Sequence, residues 1–262
     1  MKTNLALALL VGICISTASC NKTSMADDGS NELINPINLL NIKILVDSSK
    51  DGGGWWFPQS AATGFSPAAP HQGRDLAVYL RNFGYTVDEL PIGHVINASL
   101  LAPYKMVIRG APFYNYTAAE VAAYDSFLKG NVSLLLISDH MQNTSNDRLS
   151  EYLGVQFAGV AYGTITHLNT HTITTGVTSI PFIAGSAVIN TNTSNMTILG
   201  NLDANEYVDL NKNGIYDNLD IKAPPVMGIL QHPTAKIFFL SDVNGLEQLP
   251  QPFFNNLIKW LL

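Results

Sequence analysis

The chain has 262 residues, a net charge of -6 at neutral pH and 47% hydrophobic residues, enough apolar side chain for an ordinary globular core. No basic stripe runs along it, which argues against nucleic acid as a partner. Both cysteines, Cys14 and Cys20, lie near the N-terminus, so the rest of the chain lacks a disulfide, a thiolate metal site and a thiol nucleophile.

Lys2 precedes an uncharged apolar stretch over residues 5–15, and Ser16, Thr17, Ala18 and Ser19 follow before Cys20. This run is shorter than the roughly 20 residues a membrane-spanning helix needs and reads as a removable secretory signal over residues 1–19. The small residues before Cys20 resemble the lipobox of bacterial lipoproteins, with Thr17 where that family usually has leucine. The resemblance implies acylation of Cys20 and a permanent lipid anchor. The expected place is the bacterial cell envelope, on the periplasmic or surface face of the outer membrane. Residues 20–40 are polar and read as a flexible tether, leaving residues 41–262 as one domain.

Residues 42–47 (IKILVD) form the first apolar, β-branched strand, and a glycine-rich segment with Trp55, Trp56 and Phe57 follows. The spacing predicts a helix over 73–83 ended by Gly84, then extended chain over 85–90 and a strand over 104–109. Thr117 and Glu120 make a capping box for a helix running to Lys129, where Gly130 stops it. Residues 132–138 are a strand without a charged residue. Residues 160–200 are rich in Thr, Ser, Asn and Gly, with short β-like runs. Two strands over 226–230 and 236–240 and an amphipathic helix over 253–262 close the chain. The alternation of strands and helices predicts an α/β fold: a mostly parallel sheet sandwiched by helices, with a β-rich second half.

The run ILVDSSKDGGGWW after the first strand, VIRGAPFYNYTAAEVAAYDSFLKGNVSLLLISDH in the middle and VMGILQHPTAKIFFLSDVNGL with FFNNLIKWLL at the end together resemble the class I glutamine amidotransferase-like superfamily. The likeness is to its non-amidotransferase envelope branch of the GldG/intraflagellar-transport (GIFT) type. Catalytic members carry a cysteine at the turn after the strand that here spans 134–137. This chain has Ser138, Asp139 and His140 there, so the resemblance implies that thioester chemistry is lost. A binding or scaffold domain is therefore expected. A hydrolase acting on glycans or peptides through Ser138 or Asp139 with a histidine is the alternative.

Two further groups carry chemistry. Asp209, Asn211, Asn213, Gly214, Ile215, Asp217 and Asp220 fall at positions one, three, five, six, seven, nine and twelve of an EF-hand-like loop. Hard oxygens at that spacing suit Ca2+, although Asp220 replaces the usual bidentate glutamate. Asp47 and Ser48 end the first strand, where open α/β sheets bind ligands. Trp55, Trp56, His71 and Arg109 are expected to join them in a face for a carbohydrate or an envelope protein. The oligomeric state is not fixed by the sequence.

Overall fold

The structure is a computed structural model that describes residues 42–50, 72–140, 147–191 and 194–262. Its first half contains β1 (Lys43–Asp47), α1 (Gln72–Asn82), β2 (Thr86–Leu90), α2 (Ala98–Leu101), β3 (Met106–Arg109), α3 (Ala118–Leu128), β4 (Ser133–Ile137) and α4 (Arg148–Leu153). The four strands run parallel in the order β2-β1-β3-β4. Successive residues of a strand point to opposite faces, and β1 shows it. Ile44 and Val46 join one apolar cluster with Leu76 and Leu80 of α1, whereas Leu45 joins the other with Leu101, Tyr124 and Leu153 of α2, α3 and α4.

Local signals set these boundaries. Gly84 follows α1 at φ +93°, a conformation that costs glycine nothing. Thr117 and Glu120 cap α3 reciprocally, the Thr117 hydroxyl accepting from the Glu120 amide and the Glu120 carboxylate accepting from the Thr117 amide.

The second half comprises β5 (Phe157–Leu168), β6 (Ile180–Val188), β7 (Met196–Leu202), β8 (Tyr207–Asp209), β9 (Ile221–Lys222), β10 (Pro225–Gln231), β11 (Lys236–Leu240) and α5 (Gln251–Leu261). β11 lies beside β4 and parallel to it, so it extends the parallel block to five strands. From β10 onward the pairing turns antiparallel, and the sheet reads β2-β1-β3-β4-β11-β10-β7-β5-β8-β9, with β6 attached to β5.

This corrects the expected fold class. The described residues do not form a parallel sheet sandwiched by helices: they form a mostly-sheet fold of eleven mixed strands with few helices. Among them six strand pairings are antiparallel and four parallel. The physical reason lies after α4. Among the described residues no α-helix lies between α4 and β11, and β5 alternates buried and accessible positions along much of its length. That alternation belongs to antiparallel strands covered on one face.

Among the described residues no helix is long and apolar enough to cross a membrane. The signal, the tether, Cys20, Trp55, Trp56 and His71 lie outside the described residues.

Candidate ligand-binding site

Asp47 and Arg109 end neighbouring strands in register, and each is committed to the interior. Asp47 is 1% exposed. Its Oδ1 accepts the Ser49 amide at 2.9 Å, and its Oδ2 accepts both the Tyr116 hydroxyl at 2.8 Å and the Tyr124 hydroxyl. Burial, reinforced by the Asp47 charge, pushes both phenols well above their ordinary value. Arg109 is fully buried and donates to Asp147 Oδ2 at 3.2 Å and Ser150 Oγ at 2.8 Å. Asp147 is at the same time the N-cap of α4. Ser48 is buried too. The expected ligand face at this edge is thus a packed polar network as far as Asp47, Ser48 and Arg109 are concerned.

Lys50 continues that network outward. Its ammonium reaches Glu120 at 2.7 Å and lies 5.6 Å from the Tyr116 ring centroid. Burial raises the Glu120 carboxyl, but Lys50 and the Thr117 and Ile96 amides outweigh it and hold the group below its ordinary value.

The turn after β4 is closed in a different way. β6 passes across the ends of β4 and β11. Ser138 Oγ lies 2.7 Å from Ser186 Oγ, His140 Nδ1 lies 3.1 Å from the Ala184 carbonyl, and the Ile183 amide donates to Asp242 Oδ2 at 2.6 Å. The approach is close enough to require glycine at 185, where a Cβ would stand 2.2 Å from the Ser241 carbonyl oxygen. Ser138 is 0% exposed.

Asp139 and Asp242 extend β4 and β11 by two residues beyond the paired Ile137 and Leu240, which brings two carboxyls to the same level. Burial first, with the Asp139 charge adding to it, raises Asp242 from 3.8 to about 6 against the Ile183, Gly245 and Asn244 amides. His140 Nδ1 also lies 3.1 Å from Asp139 Oδ1. That bond holds the imidazole above its ordinary value, with burial opposing it. Both neighbours of Nδ1 are acceptors, which assigns the proton to that nitrogen.

Beside this sealed turn the surface opens into a cavity of about 530 Å³, lined by Val160, Tyr162, Asn205, Glu206, Tyr207, Asp209, Lys212 and Gly214. Tyr162 is 58% exposed, and its ring centroid lies 6.3 Å from that of His140. Lys212 donates to the His140 carbonyl at 3.1 Å and so ties the loop of residues 209–220 to the β4 turn. Glu206 is seated against β5, accepting the Thr164 amide at 3.0 Å. The seat exists because residue 163 is glycine: a Cβ there would lie 1.9 Å from the Glu206 carboxylate.

The loop of residues 209–220 joins β8 to β9, which pair antiparallel. It is the end of a hairpin, with strands where an EF-hand has helices. Its side chains close on its own backbone. Asp209 accepts the Asn213 amide at 3.2 Å and the Gly214 amide at 2.7 Å, and Asn213 Oδ1 accepts the Ile215 amide at 2.8 Å. The Asn211 and Asn213 side-chain amides both reach Asp217 Oδ2, at 2.8 and 2.9 Å, so positions three, five and nine converge. Asp220 faces elsewhere, accepting the Leu210 and Asp217 amides at 2.9 Å each. Among the described residues no three His, Cys, Asp or Glu side chains gather closely enough to hold a metal ion; asparagines fill the middle positions here.

Sequence reading found His140 and the loop of residues 209–220 but did not bring them together. It also missed Tyr162, Glu206 and Tyr207. A period-2 reading of residues 157–168 could have placed Tyr162 on a strand, but not beside a turn some twenty residues earlier.

No protein-family profile matches the chain, and no curated protein matches it in sequence. Solved structures do share its architecture. The N-terminal domain of mmIFT52 superposes with a TM-score of 0.62 at 13% identity, covering 84% of this chain and 96% of that one. A ThuA-like protein from Bacteroides uniformis ATCC 8492 gives 0.56 at 13% identity, covering 91% and 95%. The cytoplasmic protein STM1381 from Salmonella typhimurium LT2 gives 0.53 at 16% identity, covering 84% and 99%. The chain shares its fold with these structures, a ThuA-like protein among them, and at 13–16% identity the likeness is one of fold alone.

Proposed function

We propose that the chain is a ligand-binding protein of the bacterial envelope whose binding site is the cavity between β5, β8 and the loop of residues 209–220, with carbohydrate as its ligand class. One observation carries this reading: Tyr162 and Tyr207 share an open concavity with Asn205, Glu206, Asp209 and Lys212. Aromatic rings pack on the C–H faces of sugars while short polar groups take the hydroxyls. The turn after β4 supports binding over catalysis, since Ser138 Oγ is paired with Ser186 and β6 lies over it. A glycan array probed with the full chain tests the reading. A retained glycan should bind at least about tenfold more weakly to Tyr162→Ala and Tyr207→Ala; equal binding by both variants would overturn it.

The envelope assignment belongs to the same proposal and rests on sequence: the apolar stretch over residues 5–15, the small residues that follow and Cys20. The GIFT-type branch is the finer relationship that we propose within the shared fold. Metabolic labelling with a palmitate analogue should mark the wild type and leave Cys20→Ala unmarked. Labelling of neither chain would remove the anchor.

We assign Ca2+ as the ion of the hairpin loop. The donor chemistry fits it: Asp209, Asn211, Asn213 and Asp217 side-chain oxygens with the Ile215 carbonyl form a hard oxygen set. Asp220 would brace the loop through the Leu210 and Asp217 amides. A bound ion would fix one wall of the cavity, because Asp209, Lys212 and Gly214 belong to both.

A hydrolytic reading is favoured by one feature, the Asp139–His140 pair, whose imidazole lies near the cavity-lining Tyr162. Turnover of an array-positive glycan that His140→Ala abolishes would establish it.

A further inference from the structure

A second concavity lies at the start of β11, a strand in the middle of the sheet. It has a volume of about 410 Å³ and is lined by Thr172, Thr175, Lys236, Asn256, Lys259 and Trp260. Lys236 opens β11 and Lys259 sits in the last turn of α5. Among the described residues, neither ammonium makes an ion pair with a carboxylate, and the lining holds no acidic side chain. Lys43, Lys50 and Lys129 meet carboxylates, and Lys105 and Lys212 reach backbone carbonyls. Lys259 also complements the negative end of the α5 dipole. Lys236 has no such role.

The walls are held in place. Asn256 donates to the Thr175 carbonyl at 2.9 Å and to the Ile173 carbonyl at 3.3 Å, pinning the 172–175 turn to α5. Trp260 is flanked by the His171 ring, with centroids 6.0 Å apart, and by the Lys236 ammonium, 6.0 Å from its ring centroid. Two ammonium groups and the Thr172 hydroxyl in one concavity form a donor set without a fixed negative partner, while the Thr175 hydroxyl donates to the His171 carbonyl at 3.1 Å. A tetrahedral oxyanion accepts from such a set and compensates both charges.

We propose that this concavity is an anion site for a phosphate-type group, with Lys236 and Lys259 as the charged donors and Thr172 as a hydroxyl donor. The group can arrive as free phosphate or as a phospholipid headgroup, and the test separates the two. The amide resonances of Thr172 and Thr175 in the full chain are followed during titration with inorganic phosphate, and binding to phosphatidylglycerol vesicles is measured by co-sedimentation against phosphatidylcholine vesicles. Saturable shifts are expected with phosphate, weakened about tenfold by Lys236→Gln and again by Lys259→Gln. Lys222→Gln, on β9 five strands away from β11, should bind as the wild type. Phosphate binding without vesicle binding assigns a soluble source. Binding to phosphatidylglycerol vesicles that the double variant loses assigns a headgroup. The proposal is overturned if neither probe binds, or if the double variant binds both as tightly as the wild type.

Discussion

Replacing Asp47 by alanine removes the carboxylate to which Tyr116, Tyr124 and the Ser49 amide all donate. Tyr116 is 1% exposed and Tyr124 0%, so water cannot take over as acceptor without opening the core between β1 and α3. Each orphaned hydroxyl costs about 1–3 kcal/mol, and the pair therefore about 2–6 kcal/mol. Relief of the buried carboxylate's own desolvation offsets part of this, which places the expected loss in the lower half of that range. It is still a large share of a typical stability of ~5–15 kcal/mol. Urea unfolding followed by circular dichroism measures it for the wild type, Asp47→Ala and the triple variant Asp47→Ala/Tyr116→Phe/Tyr124→Phe. The triple variant should regain much of the loss, because removing both sides of a buried hydrogen bond leaves nothing unpaired. An Asp47→Ala protein within about 0.5 kcal/mol of the wild type would refute the structural assignment and return Asp47 to the expected ligand face.

Asp242 gives a pH signature. Its ordinary value of 3.8 rises to about 6 in the folded protein, so between those values the folded state holds a proton that the unfolded state has lost. The contribution to stability is full below 3.8 and disappears as pH rises through about 6, a difference of roughly 3 kcal/mol. Stability of the wild type minus that of Asp242→Asn should fall across this window, and a difference that stays flat or rises contradicts the burial of that carboxyl. Gly185→Ala puts a methyl 2.2 Å from the Ser241 carbonyl oxygen and should cost about 1–3 kcal/mol or more in urea unfolding; a neutral result means that β6 does not press on β11. Added Ca2+ should raise the melting temperature of the wild type, by about 2.7 kcal/mol of stability at a hundredfold excess over Kd, and should leave Asp209→Ala unmoved. Indifference of the wild type to both Ca2+ and chelator removes the ion.

The parallel block was legible because its signals are local. The apolar run of β4, the glycine after α1 and the Thr117–Glu120 box each act within a few residues, and the observed elements fall close to their expected bounds. The antiparallel wing was not. β5 finds partners in β6, β7 and β8 through register shifts and bulges that no periodicity encodes. The short helices α2 and α4 were missed for the opposite reason, since one or two turns leave no stripe to read. Arg109 shows how a site residue misleads. An arginine at a strand end looks like a ligand contact until Asp147, thirty-eight residues later, is seen to take its charge. The cavity itself depends on Gly163 and on the Lys212 bond to the β4 turn, both of them consequences of the tertiary fold.

The most direct test of the binding cavity is a crystal structure of the chain with its best array-positive glycan. Sugar density is expected stacked on Tyr162 or Tyr207, with hydroxyls within hydrogen-bond reach of Asn205, Glu206 or Lys212. Density over the ends of β1 and β3 instead, with Asp47 and Arg109 turned out to meet it, would place the binding site there and overturn the proposed cavity.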